Sequence, residues 1–180
     1  MAALVPPGVT CCEQVGTLGG ILLSEEAQLL SPNTVSKRRA EFTAGRTCAR
    51  TALAIFGIEP APLLRGSRGE PLWPEHVTGS ITHCSGYCAA AVTLLHRYRS
   101  FGIDAEPNEA LPPHVLELIA RPEEQQWIAK KTTDDVCWDR LLLASRKAYT
   151  RFGIRWSTAG WILIRRLWRS TWKQITSGPF

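Results

Sequence analysis

The chain has 180 residues, of which 44% are hydrophobic, and it carries a formal net charge of +5 at neutral pH. This length and apolar content suit one globular domain or two small lobes that share a core. No run approaches the roughly 20 apolar residues of a membrane span. The N-terminal stretch MAALVPPGVT lacks the basic start and apolar core of a signal peptide, so we expect a cytoplasmic protein.

The first predicted element is a helical region over residues 23–57, which Pro32 interrupts. Ser24 and the two glutamates after it suit a helix start, and Gly57 suits its end. From Thr34 onward, apolar side chains recur so that they line one broad face. They are Val35, Phe42, Cys48, Ala49, Ala52, Leu53 and Phe56.

The rest of the chain alternates strands and helices. Residues 61–76 are rich in Gly and Pro and predict turns; residues 77–95 predict a strand, a turn and a strand; and residues 99–107 predict a further strand that Pro107 closes. Residues 111–120 and 121–131 predict two short helices, each with a proline near its start. A longer helix begins at Asp134 or Asp135, and residues 157–168 predict a last strand. This order indicates an α+β class.

The six cysteines do not form a metal-binding pattern. They are Cys11, Cys12, Cys48, Cys84, Cys88 and Cys137. Cys84 and Cys88 are four positions apart, but no second pair or histidine couple completes a zinc site. We therefore expect buried free thiols.

Two carboxylates lie two positions apart in the sequence FGIDAEP, namely Asp104 and Glu106. In a strand they would point to the same face, which is costly unless a cation lies between them or they share a proton. One interpretation is a solvated or lysine-paired strand end. The other is a magnesium site, because Mg²⁺ takes one or two carboxylates and gains further oxygens from a substrate phosphate.

Basic residues precede these acids in two clusters. Arg38, Arg39 and Arg46 lie on the predicted helix, where Arg38 and Arg46 project roughly the same way. Arg65 and Arg68 lie in the Gly-rich turns. Arginine forks suit phosphate oxygens, although a solvated basic face is the alternative. His83 follows a Gly-Ser pair and is either a core residue or a phosphate ligand, and no P-loop motif is present.

Five motifs, in this order, resemble the 4'-phosphopantetheinyl transferases, especially the Sfp-like group that includes enterobactin synthase component D. They are KRRAEFTAGRTCARTAL, GEPLWP, GSITHCSGY, FGIDAEP and WDRLLLAS, and they extend from about Lys37 to Ala144. The resemblance implies two pseudo-symmetric α+β lobes, of which the second is incomplete here. We expect one unit over residues 1–180, with an N-terminal lobe over 1–103, a family-like part over 104–144 and a divergent tail over 145–180.

The resemblance also implies the chemistry. These enzymes transfer the phosphopantetheine arm of coenzyme A to a serine of an acyl or peptidyl carrier protein and release 3',5'-ADP. Asp104 and Glu106 would hold Mg²⁺ on the pyrophosphate and serve catalysis. The residues expected at coenzyme A are Arg38, Arg46, Arg65, Arg68 and His83 at its phosphates, with Ser80 and Thr82 lining the same cleft.

The sequence departs from the family after WDRLLLAS. Aligned without gaps, Arg146 takes the place of the family lysine and Lys147 that of the family glutamate. An ammonium cannot ligate Mg²⁺ and would compete with it for the acids. The tail also contains four tryptophans and no acid after Asp139, and it ends short of the strands of a second lobe. We hypothesise a reading-frame shift near residue 144, which codon degeneracy permits.

We therefore expect a monomeric phosphopantetheinyl transferase of siderophore, nonribosomal peptide or polyketide assembly, with impaired activity. An acidic carrier protein would suit the positive charge. One alternative is a non-catalytic coenzyme A-binding remnant. Another is a nucleic-acid-binding protein that uses the basic tail, which predicts salt-sensitive affinity; the tail contains no recognisable binding module.

Overall fold

The computed structural model describes residues 4–131 and 136–150, and it confirms the α+β class. The strands are β1 Val9–Val15, β2 Val77–Cys84 and β3 Tyr87–Leu94, and the helices are α1 Ser24–Ala27, α2 Ser36–Ala54, α3 Val115–Ile119, α4 Pro122–Ala129 and α5 Trp138–Thr150. No helix among these residues is long and apolar enough to cross a membrane.

The three strands form one antiparallel sheet in the order β1-β3-β2. The strand-turn-strand prediction for residues 77–95 is confirmed by β2 and β3. Strand β1 was not predicted, because its sequence VTCCEQV has no clear apolar alternation, and its residues are all partly or well exposed. Its place beside β3 is secured by tertiary contacts, such as the hydrogen bond from Thr10 Oγ1 to Ala52 O of α2 at 3.0 Å.

Helix α2 packs across one face of the sheet and forms the main core with it. The buried residues of this core are Cys48, Ala49, Ala52, Leu53, Leu63, Val77, Ala90 and Val92. The predicted apolar face of α2 is therefore largely confirmed. Val35 is the exception, because the helix begins at Ser36 and Val35, in front of it, is 70% exposed.

The segment over residues 101–105 covers the opposite face of the sheet, where Phe101 and Ile103 pack against Ala89 and Ala91 of β3. The predicted strand over residues 99–107 is wrong, because no strand is present there. Side chains of β2 bind this backbone instead. Ser80 Oγ donates to Ile103 O at 3.4 Å, and Ala105 N donates to Thr82 Oγ1 at 2.9 Å. These bonds satisfy peptide groups without a strand ladder.

The helices among the described residues after residue 110 agree with the prediction in number, although their boundaries differ: α3 begins at Val115 rather than at residue 111, and α4 ends at Ala129 rather than at residue 131. Helix α5 begins at Trp138 rather than at Asp134 or Asp135. Cys137 N instead bonds to Asn108 Oδ1 at 2.8 Å, and Cys137 O accepts the first helical bond from Leu141 N. The helix runs through residue 144 without a break. The predicted strand over residues 157–168 lies outside the described residues, and the division into two pseudo-symmetric lobes stays a prediction.

The cysteines are free thiols, as predicted, although only two of them are fully buried. Cys48 and Cys88 have no exposed surface, whereas the other four are partly exposed. Burial raises the pKa of Cys12 to about 11. The thiolate form of this residue is therefore scarce at neutral pH.

Candidate functional site

A pocket of about 670 Å³ opens between α2, the turns over residues 65–73 and β2. All five predicted phosphate ligands line it. Four of them are arginines: Arg38, Arg46, Arg65 and Arg68. The fifth is His83 of β2. Two carboxylates, Glu41 and Glu70, also line the pocket and leave its charge positive. The structure thus brings the two basic clusters of the sequence to one place.

Arg46 is the most buried of these cations, with 5% of its surface exposed. Its guanidinium lies 4.6 Å from the centre of the Phe42 ring, and that of Arg65 lies 5.7 Å from the same ring. Burial lowers the pKa of Arg46; Glu26 opposes this, and neighbouring arginines, Arg65 first among them, lower it further. In the described part of the chain Arg46 Nε has no hydrogen-bond partner. A buried cation in this state favours an anionic ligand.

A tight turn presents Arg65 and Arg68 to the pocket. Arg65 pairs with Pro71 across the turn in an isolated β-bridge. Gly69 has a φ of +86°, which a side chain would strain. The carboxylate of Glu70 accepts a hydrogen bond from Arg68 N at 2.9 Å, which fixes the turn from within. Both arginines therefore line the pocket from a backbone of defined shape.

Arg38 and His83 contact each other at the edge of the pocket. Arg38 Nη1 donates to His83 Nε2 at 3.0 Å, and His83 Nδ1 lies 3.4 Å from Glu41 Oε2. Because a guanidinium only donates, Nε2 is the acceptor and the imidazole proton lies on Nδ1. This contact between α2 and β2 requires a close approach, and a Cβ on Gly45 of α2 would lie 2.9 Å from Ile81 Cγ2.

Ser80 and Thr82, predicted to line the cleft together, have different surroundings. Ser80 lines the pocket. Thr82 has no exposed surface and is absent from the lining. Its hydroxyl accepts from Ala105 N and donates to Asp104 Oδ1 at 3.4 Å. Thr82 therefore positions the acidic segment from the face of the sheet opposite α2.

The two acids lie outside the pocket lining, and Glu106 contacts α5. Glu106 Oε1 forms an ion pair with Lys147 Nζ, and Arg140 Nη1 lies 3.5 Å from Glu106 Oε2. Burial raises the pKa of the Cys84 thiol, and Glu106 and Asp104 raise it further, so that both acids act on one neighbour. Lys147 thus occupies the position beside the acids that the ungapped alignment predicts for it.

These acids do not fit a magnesium ion as they are arranged. Both oxygens of Glu106 face cations of α5. Among residues 4–131 and 136–150, no group of three or more His, Cys, Asp or Glu side chains forms a metal site, so a metal here would depend on these two acids and on substrate oxygens. Mg²⁺ requires near-octahedral oxygen coordination, and a lysine against one of two candidate carboxylates opposes it.

Three contributors to this region were not assigned roles from the sequence. Phe42 supplies the ring between Arg46 and Arg65, and Glu41 orients His83. Arg140 lies within the motif WDRLLLAS, and only its contact with Glu106 gives it a place in the site. The spacing of Glu41 three residues after Arg38 was a usable signal for an ion pair on one helix face.

The fold and the pocket define an α+β protein with a strongly basic cleft. Comparison with known proteins identifies relatives of the chain. The 4'-phosphopantetheinyl transferase N-terminal domain matches residues 25–93. The chain is 42% identical over 146 residues to the 4'-phosphopantetheinyl transferase Npt of Nocardia iowensis. This match covers 81% of this chain and 65% of that protein.

Two further relatives agree. The chain is 43% identical over 143 residues to the 4'-phosphopantetheinyl transferase PptT of Mycobacterium tuberculosis, covering 79% of this chain and 58% of the relative. Enterobactin synthase component D of Salmonella typhimurium is 41% identical to the chain over 70 residues. This match covers 39% of this chain and 28% of that protein. The chain is homologous to the 4'-phosphopantetheinyl transferases, as the motifs predict. It spans 65% and 58% of the length of the first two relatives.

Proposed function

We propose that the protein binds coenzyme A and transfers its 4'-phosphopantetheine arm to a serine of an acyl or peptidyl carrier protein, releasing 3',5'-ADP. The observation that supports this most is the pocket with four arginines in a chain homologous to 4'-phosphopantetheinyl transferases. Coenzyme A carries a 3'-phosphate and a pyrophosphate, both of which suit guanidinium forks. The pocket volume of about 670 Å³ lies within the usual range of small-molecule sites.

Each cation has a distinct part in this proposal. Arg46 is buried and fixed over Phe42, so it would meet a phosphate at the floor of the pocket. Arg65 and Arg68 would close over the ligand from the turn. Arg38 would exchange its contact with His83 for a phosphate oxygen. Ser80 would line the same cleft. Fixed cations at a pyrophosphate neutralise charge that develops on the leaving group in phosphoryl transfer.

The partner in this proposal is an acidic carrier protein, since the chain has a net charge of +5. A monomeric state, a cytoplasmic location and a role in siderophore, nonribosomal peptide or polyketide assembly belong to the same proposal. The two-lobe division at residues 103 and 104 and the divergent tail over 145–180 belong to it as well. Magnesium on Asp104 and Glu106 stays a prediction of the resemblance and supplies no step here, because the described residues do not fit it.

A non-catalytic coenzyme A-binding protein is the second candidate. The ion pair between Lys147 and Glu106 favours it, because a cation stands where the family has a carboxylate. A binding protein would retain the pocket and lose turnover. Nucleic-acid binding through the basic tail is a third and weaker candidate. It predicts salt-sensitive affinity that disappears when residues 145–180 are removed.

Two measurements test the proposal. Calorimetry should show that affinity falls from coenzyme A to dephospho-coenzyme A, which lacks the 3'-phosphate, and again to pantetheine, which also lacks the pyrophosphate. We expect a loss of about tenfold or more at each step, because a charge-assisted hydrogen bond contributes about 1.5–3 kcal/mol. Equal affinity for all three would contradict phosphate recognition. A single-turnover assay with a carrier protein, followed by mass shift, separates the candidates: modification identifies the transferase, and binding without modification identifies the remnant.

A further inference from the structure

The acidic site has two positive side chains from one face of α5. Arg140 and Lys147 are seven residues apart, close to two helical turns, and therefore project in the same direction. Each approaches a different oxygen of Glu106. The residue before Lys147, Arg146, instead forms an ion pair with Glu124 of α4 at 2.5 Å, so a different face of α5 is held against α4.

The two cations differ in how firmly they are held. Arg140 Nε donates to Glu109 O at 2.9 Å and Arg140 Nη2 donates to Ala110 O at 3.0 Å, so backbone carbonyls fix the guanidinium. Its side chain is 18% exposed, whereas that of Lys147 is 48% exposed. Lys147 is thus the removable member of the pair, and its substitution leaves the packing of α5 largely intact.

Glu106 is only 13% exposed, and a buried carboxylate needs a compensating positive charge. A divalent ion could supply that charge, but a metal requires a carboxylate oxygen that is not already paired with an ammonium. We propose that Lys147, supported by Arg140, is a built-in cation that takes the place of a divalent metal at Asp104 and Glu106. The chain then excludes Mg²⁺ from this site.

Titration with Mn²⁺, a spectroscopic probe for Mg²⁺ sites, tests the exclusion without coenzyme A or turnover. We expect the unaltered chain to bind Mn²⁺ at least about tenfold more weakly than the Lys147→Ala and Lys147→Glu variants, because removal of a positive charge at contact distance favours the ion. Combining Lys147→Ala with Glu106→Gln should abolish the gain. Lys130→Ala, which removes an exposed lysine at the end of α4, is the matched control and should change nothing.

Two results would overturn the proposal. The first is that the unaltered chain binds Mn²⁺ as tightly as Lys147→Ala does, and that Glu106→Gln loses this binding. The lysine would then not exclude the metal. The second is that neither Lys147 variant binds Mn²⁺ more tightly than the unaltered chain, although both unfold at the same temperature as that chain. Far-UV circular dichroism of each variant establishes that it is folded before the titration.

The consequence for the ligand rests on the proposed function. The affinity of the unaltered chain for coenzyme A should be the same in Mg²⁺ and in EDTA, within about twofold, whereas in Lys147→Glu it should rise at least about fivefold when Mg²⁺ is added. A Mg²⁺-dependent affinity of the unaltered chain would refute the built-in cation. Absence of coenzyme A binding in every variant would refute the proposed function and leave the Mn²⁺ result standing.

Discussion

Replacement of Arg46 by methionine should separate binding from stability. Methionine keeps an unbranched stem over Phe42 and removes the guanidinium. In the ligand-free protein that guanidinium is 5% exposed, with a pKa lowered by burial and an Nε that has no hydrogen-bond partner among the described residues. A buried polar group without a partner costs about 1–3 kcal/mol. Its stacking on Phe42, at 4.6 Å, returns about 0.5–2 kcal/mol.

The free energy of unfolding of Arg46→Met should therefore lie between about 1 kcal/mol below and about 2.5 kcal/mol above that of the unaltered chain. Its affinity for coenzyme A should fall by about 10- to 150-fold, the value of one charge-assisted hydrogen bond of about 1.5–3 kcal/mol. If Arg46 meets the 3'-phosphate, the affinity for dephospho-coenzyme A should fall much less. Binding sites often carry this conflict between stability and function.

Calorimetry of ligand binding and urea unfolding measure both effects on the same samples. Arg39→Met is the control, since Arg39 is exposed on the same helix and does not line the pocket. A free energy of unfolding that falls by more than about 1 kcal/mol in Arg46→Met, with normal binding of coenzyme A, would contradict this prediction. Arg46 would then be a structural cation. Equal losses for coenzyme A, dephospho-coenzyme A and pantetheine would place it away from the phosphates.

Three further substitutions test the contacts around the site. Glu26→Ala should lower the free energy of unfolding by about 3–5 kcal/mol in a denaturant titration, because this fully buried carboxylate holds Arg50 and two backbone amides. Tyr87→Phe removes a 2.7 Å hydrogen bond that lowers the pKa of Glu13 below its ordinary value of 4.5. Its destabilisation, about 1 kcal/mol or less, should be present at neutral pH and disappear as the pH falls through the lowered pKa; a difference that persists in strong acid would contradict this origin. Thr82→Val should speed hydrogen exchange at the Ala105 amide about tenfold or more, while Thr82→Ser should not.

Local patterns in the sequence predicted much of the scaffold. The apolar spacing of α2 identified its buried face, and the residues of β2 and β3 predicted a strand, a turn and a strand, because side-chain periodicity reports which side of an element is buried. The motif order also gave the family, and the spacing of Arg38 and Arg46 placed both on one side of the helix. These features depend on residues that are close together in the sequence.

Only the tertiary structure decided how the distant parts meet. The sequence FGIDAEP has the composition of a strand, yet hydroxyls of Ser80 and Thr82 bind its backbone and keep it out of the sheet. The alignment placed Lys147 beside the acids, but only the packing of α5 showed that Glu106 is the acid it contacts, with Arg140 on the other oxygen. Such pairs are separated by tens of residues, and their meeting depends on the packing of whole elements, which local periodicity does not encode.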